Sequence, residues 1–147
     1  MFDALGFHKV ASGLGRFGLK RSAKVVSRVA RVLFSAHIPP EAQIGEGTRL
    51  GYGGIGIVVH KDAVIGRNVL LSPGVVVGGR APLKGAPIIE DDVKIGVGAK
   101  ILGPIRIGAG ARVGSNAVVI DDVLPGDTVV GIPARPVVRR SGKLSAA

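Results

Sequence analysis

From Val59 to Val119 an aliphatic residue stands at every sixth position: Val59, Ile65, Leu71, Val77, Leu83, Ile89, Ile95, Ile101, Ile107, Val113 and Val119. A period of six matches neither the 3.6-residue repeat of an amphipathic helix nor the two-residue alternation of a half-buried strand. It matches a solenoid whose flat sides each turn one apolar residue inward, so that successive coils stack those residues into ladders. Two residues ahead of these positions stand small or β-branched side chains (Ala63, Val69, Val75, Val93, Ala99, Ile105, Ala111, Ala117 and Val123), as the corners of a narrow prism require. The residue after the aliphatic is often glycine (Gly45, Gly51, Gly66, Gly78, Gly96, Gly108, Gly114), which predicts tight turns with left-handed backbone. With three sides per coil, the span from Ile44 to Val138 predicts an all-β solenoid of about five coils.

Leu50 and Val59 are nine residues apart rather than six, so the glycine-rich stretch between them predicts an outward bulge, a place where solenoids often carry function. Ahead of the repeat, residues 17–36 place Lys20, Lys24, Arg28 and Arg31 at helical spacing against an opposing stripe of Val26, Val29, Ala30 and Leu33, and Pro39 and Pro40 close the helix off. The chain thus divides into a basic helical segment (1–40), a hexad-repeat domain (41–138) and a basic tail (139–147). The helix either shields the end of the solenoid or packs on a neighbouring subunit, or else attaches to an anionic membrane surface.

A formal charge of +10 makes nucleic acid a partner to consider, yet 3% aromatics and no groove-reading module argue against it. The charge concentrates at the two ends, in seven Lys or Arg before His37 and in Arg135, Arg139, Arg140 and Lys143. Such cations suit a phosphorylated ligand equally well. The chain has no cysteine, which removes disulfide, thiol-catalytic and cysteine-ligated zinc chemistry. A zinc site built on histidine needs three that converge, and the spacing of His8, His37 and His60 does not offer that, so no metal is expected. With no bilayer-length apolar run and no signal-peptide stretch, the expected location is cytoplasmic, peripheral to a membrane if the helix docks there. Five short coils leave open ends and flanks, so self-association is expected.

The run from Ile38 to Val138, with VVHKDAVIG, VVVGGR, VKIGVGAKILG and VVGIPARPV within it, resembles the left-handed parallel β-helix acyltransferases, in particular their serine acetyltransferase branch. The resemblance implies left-handed coiling, a homotrimer, acetyl-CoA as co-substrate with no bound cofactor, and a cleft between adjacent prisms for the coenzyme and a hydroxylated acceptor. Serine acetyltransferases carry an aspartate before the first coil and a histidine shortly into it. Alignment on Pro40-Glu41-Ala42-Gln43-Ile44-Gly45 puts His37 at the aspartate and Tyr52 at or beside the histidine, a departure that argues against true serine acetyltransferase activity; the expected acceptor is a hydroxyl of a sugar or other small polar molecule, with serine still possible.

Acyl transfer from a thioester to an alcohol needs a base for the hydroxyl proton and a donor for the oxyanion. His8 falls in an N-terminus expected to be flexible. His60 follows the bulge at an outward-facing turn position and is the expected base, as it also is by resemblance to acetyltransferase-like proteins of surface-polysaccharide genes. Tyr52 could orient the acceptor or donate to it, and His37 completes the catalytic candidates. The resemblance makes Gly79 a backbone donor to the thioester with Arg80 nearby, on a stretch, Gly78 to Pro87, whose prolines and glycines favour a loop although the sixfold phase survives at Leu83. It also places Val97, Ala99, Ser115 and Ala117 along the coenzyme and Arg135 at its nucleotide end, with Asp121 where some relatives have lysine. The alternative is a noncatalytic trimeric scaffold or interaction module, which would bind no coenzyme.

Overall fold

The computed structural model describes residues 3–137, so the expected tail with Arg139, Arg140 and Lys143 lies outside the described residues. Two-residue and three-residue strands form each coil, separated by turns. The first coil holds β1 (Gln43–Ile44), β2 (Arg49–Leu50) and β3 (Val58–Val59). The second holds β4 (Val64–Ile65), β5 (Leu70–Leu71) and β6 (Val76–Gly78). The third holds β7 (Ile88–Ile89), β8 (Lys94–Ile95) and β9 (Lys100–Leu102). The fourth holds β10 (Arg106–Ile107), β11 (Arg112–Val113) and β12 (Val118–Val119). A fifth is only begun, by Val123 bridging Ile107 and by β13 (Thr128–Val130), on which β14 (Arg135–Pro136) folds back antiparallel. Four complete coils therefore stand where about five were expected.

Stacked in parallel register, the strands make three faces: β1-β4-β7-β10 (face I), β2-β5-β8-β11-β13 (face II) and β3-β6-β9-β12 (face III). The ladders are Ile44-Ile65-Ile89-Ile107, Leu50-Leu71-Ile95-Val113-Val129 and Val59-Val77-Ile101-Val119. All of these but the half-buried Ile44 are buried, as are Ala63, Val69, Val75, Val93, Ala99, Ile105, Ala111 and Ala117 two residues ahead. A strand this short survives because each coil hydrogen-bonds the next and a common apolar column excludes water.

Leu83 breaks the ladder. It is 51% exposed, because residues 79–87 leave the prism as a loop and Ile89, twelve residues after Val77, takes the next place on face I. An insertion of six residues keeps the phase of the repeat while skipping no face. Val123 also differs from expectation: it comes four residues after Val119 and takes an inward position on face I, not a corner.

Of the glycines after the aliphatic positions none has left-handed backbone, and all but Gly78 serve close approach of the neighbouring coil. A Cβ on Gly66 would lie 2.5 Å from Oδ1 of Asp91 in the coil below, whereas the left-handed turn residue sits two places later, at Asn68 (φ 55°). Asp91 uses that proximity, accepting from the Arg67 amide at 2.7 Å and from its guanidinium at 3.0 Å, and these bonds hold its carboxyl below the ordinary range.

The N-terminal segment is two helices, α1 (Ala4–Arg16) and α2 (Lys20–Phe34), where a flexible terminus and one helix were expected. The Asp3 side chain caps α1 by accepting from the Gly6 amide at 2.7 Å. Ala4 and Leu5 join the prism core, and Phe7 meets Phe34 edge-to-face with ring centroids 5.8 Å apart, so α1 seals the open end of the first coil. α2 divides into three flanks: Ala23 and Ala30 pack inward, Lys24, Arg28 and Arg31 form a basic side, and Val25, Val29, Val32 and Leu33 are exposed. Beyond α2, pairing of the prism reaches back to His37, which bridges Val58.

Candidate active site

The expected site residues divide between two edges of the prism. On the edge between faces III and I stand His60 of the first coil, Gly79 and Arg80 of the second, and Asp121 of the fourth, to which Arg135 reaches (Nη1 to Oδ2, 3.1 Å). Coils rise by one strand spacing, so His60 and Asp121 lie about 14 Å apart along this edge. On the edge between faces II and III stand Tyr52, Val97 and Ser115. Face III separates the two groups.

His60 is a turn residue because β3 ends at Val59 and the chain must bend toward face I; its amide donates to the Val77 carbonyl at 2.7 Å and its carbonyl accepts from the Ala63 amide at 3.0 Å. With the backbone thus fixed, the ring points outward and is 35% exposed. Nδ1 accepts from the Asp62 amide at 3.2 Å, and the Asp62 carboxylate lies 3.8 Å from the same nitrogen. In the arrangement observed, Nδ1 accepts from the amide and a neutral ring carries its proton on Nε2; Nε2 becomes a base only when the Asp62 carboxylate turns in to accept from Nδ1–H. Nε2 faces the loop, 3.9 Å from where a Cβ on Gly79 would stand. No hydrogen bond engages the Gly79 amide among the described residues, so it is free to donate. Arg80 is anchored more weakly, through a 3.5 Å contact from Nη1 to the Ile120 carbonyl on the same edge.

His37 lies with His60 in a cleft of about 470 Å³ between α2 and face III. Nη2 of Arg31 donates to its Nδ1 at 2.7 Å, and burial together with the Arg31 charge pushes the His37 pKa down, against a smaller opposite pull from Glu41. A neutral imidazole bound this way carries its proton on Nε2 and is not set up as a base. A larger recess of about 810 Å³ between the helices and the first coil holds His8 and Ser12 and none of the expected site residues. His8 is buried there, which corrects its expected place in a flexible terminus.

Tyr52 does not reach the cleft. It is 85% exposed on the bulge, in left-handed backbone (φ 48°, ψ 44°) that costs a non-glycine residue about 1–2 kcal/mol. Val97 and Ser115 are exposed as a coenzyme edge needs, but Ala99 and Ala117 are buried with their methyls inside the prism and their carbonyls bonded to the amides of Val76 and Lys100. The inward corner positions keep the wall narrow and leave contact to their neighbours. Sequence reasoning missed Asp62, whose only signal is its place two residues after His60, and it read the basic flank of α2 without the cleft that flank lines.

Residues 86–121 match the family described as bacterial transferase hexapeptide (six repeats). The chain is 35% identical to the serine acetyltransferase of Helicobacter pylori over 138 residues, covering 92% of this chain and 80% of that protein. It is 39% identical to that of Bacillus licheniformis over 143 residues, covering 96% of this chain and 66% of that one. Among solved structures, soybean serine acetyltransferase complexed with serine aligns with a TM-score of 0.85 and 42% identity, over 91% of this chain and 56% of that chain. A serine acetyltransferase complex with CoA aligns at 0.83 and 35%, over 91% and 55%. The chain thus spans about half to two thirds the length of most of these relatives.

Proposed function

The chain belongs to the serine acetyltransferase family of hexapeptide-repeat transferases, its prism a left-handed parallel β-helix, and we propose that it transfers acetyl from acetyl-CoA to the hydroxyl of a small polar acceptor. The observation that carries this reading is the meeting of His60 Nε2 with the loop at Gly79, an outward imidazole beside a free amide. In the reaction the acceptor hydroxyl gives its proton to Nε2 of His60 as its oxygen bonds to the thioester carbon. The Gly79 N–H holds the resulting oxyanion. Collapse of the tetrahedral intermediate breaks the C–S bond, and the departing thiolate takes the proton from Nε2, leaving the ester and free CoA. Asp62 acts as a positioning residue by holding Nδ1–H when Nε2 is the base.

The coenzyme extends along the edge from Gly79 and Arg80 toward Arg135, whose guanidinium is half engaged by Asp121 and half available for phosphate. Val97 and Ser115 lie on the other edge and meet the same coenzyme only if it lies between two prisms, so a homotrimer belongs to the proposal. Similar serine acetyltransferase structures are complexes with serine, which makes serine one acceptor class, while His37 and Tyr52 stand where the family's dyad is expected, which leaves sugar hydroxyls as the second. Contact of α2 with an anionic membrane, and a cytoplasmic location beside it, rest on the exposed Val25, Val29 and Val32 next to Arg21 and Arg28, and co-sedimentation with anionic vesicles tests them.

The deciding measurement is thiol release from acetyl-CoA across serine and hydroxylated sugars. His60→Ala should lower kcat by about 100-fold or more, and Asp62→Asn by less, with CoA binding unchanged in both. Wild-type protein that binds no CoA would establish the scaffold reading, and full activity in His60→Ala would remove this base.

A further inference from the structure

The cleft that holds His60 is walled by more cations than the carboxylates beside them can neutralise. Lys24, Arg28 and Arg31 project from one flank of α2, Lys61 from the turn after β3, and Glu41 is the one acid among the lining residues. Among the described residues Lys24, Arg28 and Arg31 have no carboxylate partner, and Lys61 meets only Asp62, at 3.6 Å. Like charges three and four residues apart on a helix repel, so this flank works against α2 unless an anion arrives. Arg31 is also held in place: one of its N–H groups is spent on Nδ1 of His37, a neutral acceptor that fixes the guanidinium without cancelling its charge.

We propose that the acceptor carries a net negative charge, a carboxylate or phosphate beside the hydroxyl to be acetylated, which the α2 flank binds while His60 meets the hydroxyl. The inference rests on the acetyl-transfer reading. The coenzyme's own phosphates do not need these cations, because Arg135 stands at the opposite end of the edge, beyond the fourth coil. A zwitterion such as serine fits less well: its carboxylate gains Arg31, but its ammonium meets four like charges against Glu41 and an Asp62 already beside Lys61 and His60. A neutral sugar leaves the whole flank unpaired.

Matched acceptors test this. Glucose, glucuronate, glucose 6-phosphate and serine are compared for kcat/KM, and the same compounds with inorganic phosphate are titrated without acetyl-CoA while the ring signals of His37 and His60 are followed by NMR. Glucuronate or glucose 6-phosphate should exceed glucose and serine by about tenfold, an advantage that shrinks as salt is raised. Arg28→Gln should raise KM for the anion about tenfold with kcat and CoA affinity unchanged, while Arg49→Gln, a cation on face II, changes neither. Preference for glucose or serine overturns the proposal, as does an Arg28→Gln variant that loses CoA affinity instead. If no acceptor turns over, anion-induced shifts that vanish in Arg28→Gln still support the anion site and the transfer reading falls; absence of both turnover and shifts overturns the anion site too.

Discussion

His8 lies in α1 with its ring against the first coil: Nε2 is 3.3 Å from Ser12 Oγ, whose own proton goes to the Pro40 carbonyl at 2.8 Å, and Nδ1 makes no hydrogen bond. Burial pushes its pKa below the ordinary 6.5, and the Pro39 carbonyl and Glu41 only reduce the shift. His37 is shifted the same way. Because the unfolded chain binds these protons more readily than the folded one, their contribution to stability is complete above about pH 6.5 and is lost as pH falls through the lowered folded values. Urea midpoints should therefore drop between pH 7.5 and pH 5.5, and His8→Gln, which retains a donor for Ser12, should flatten that drop; an unchanged slope in the variant would contradict the assignment. His60 was legible because the hexad phase alone puts it after an inward valine. His8 was not, since its burial depends on a helix docking against Pro40, a contact between parts of the chain that no local period records.

The loop at residues 79–87 shows how far a period can be trusted. Six extra residues between Val77 and Ile89 preserve the sixfold phase, so Leu83 sits in register in the sequence while its side chain is exposed. Prolines and glycines marked the loop; the phase could not. The same arithmetic makes the loop removable. Deleting Arg80 to Gly85 brings Val77 and Ile89 six residues apart, so the ladders on all three faces stay continuous. We expect the shortened chain to keep its β-rich circular dichroism and to melt within a few degrees of the parent, because no ladder residue is lost, while acetyl transfer disappears with the Gly79 environment. Ile101→Ala, which leaves the loop intact but empties a buried ladder position, should instead cost about 2–5 kcal/mol. A shortened chain that fails to fold would mean that the loop holds the prism together.

At the scale of the molecule, the two groups of site residues lie on different edges of one prism, and face III stands between them. His60, Gly79, Arg80 and Arg135 share one edge; Val97 and Ser115 share the other. A coenzyme that touches both must lie where the first edge of one copy approaches the second edge of another, and three copies around an axis satisfy that requirement with every edge pair used once. Each active site then takes its base from one subunit and part of its coenzyme wall from the next. His60→Ala removes the base, and Ser115→Trp fills the wall, so each variant alone should be inactive. Hybrid trimers assembled from equal amounts of the two contain sites in which an intact base meets an intact wall, and random mixing of a closed ring gives about a quarter of the wild-type activity. Mixed trimers as inactive as the parents would place both halves of the site in a single chain and remove the geometric reason for the assembly.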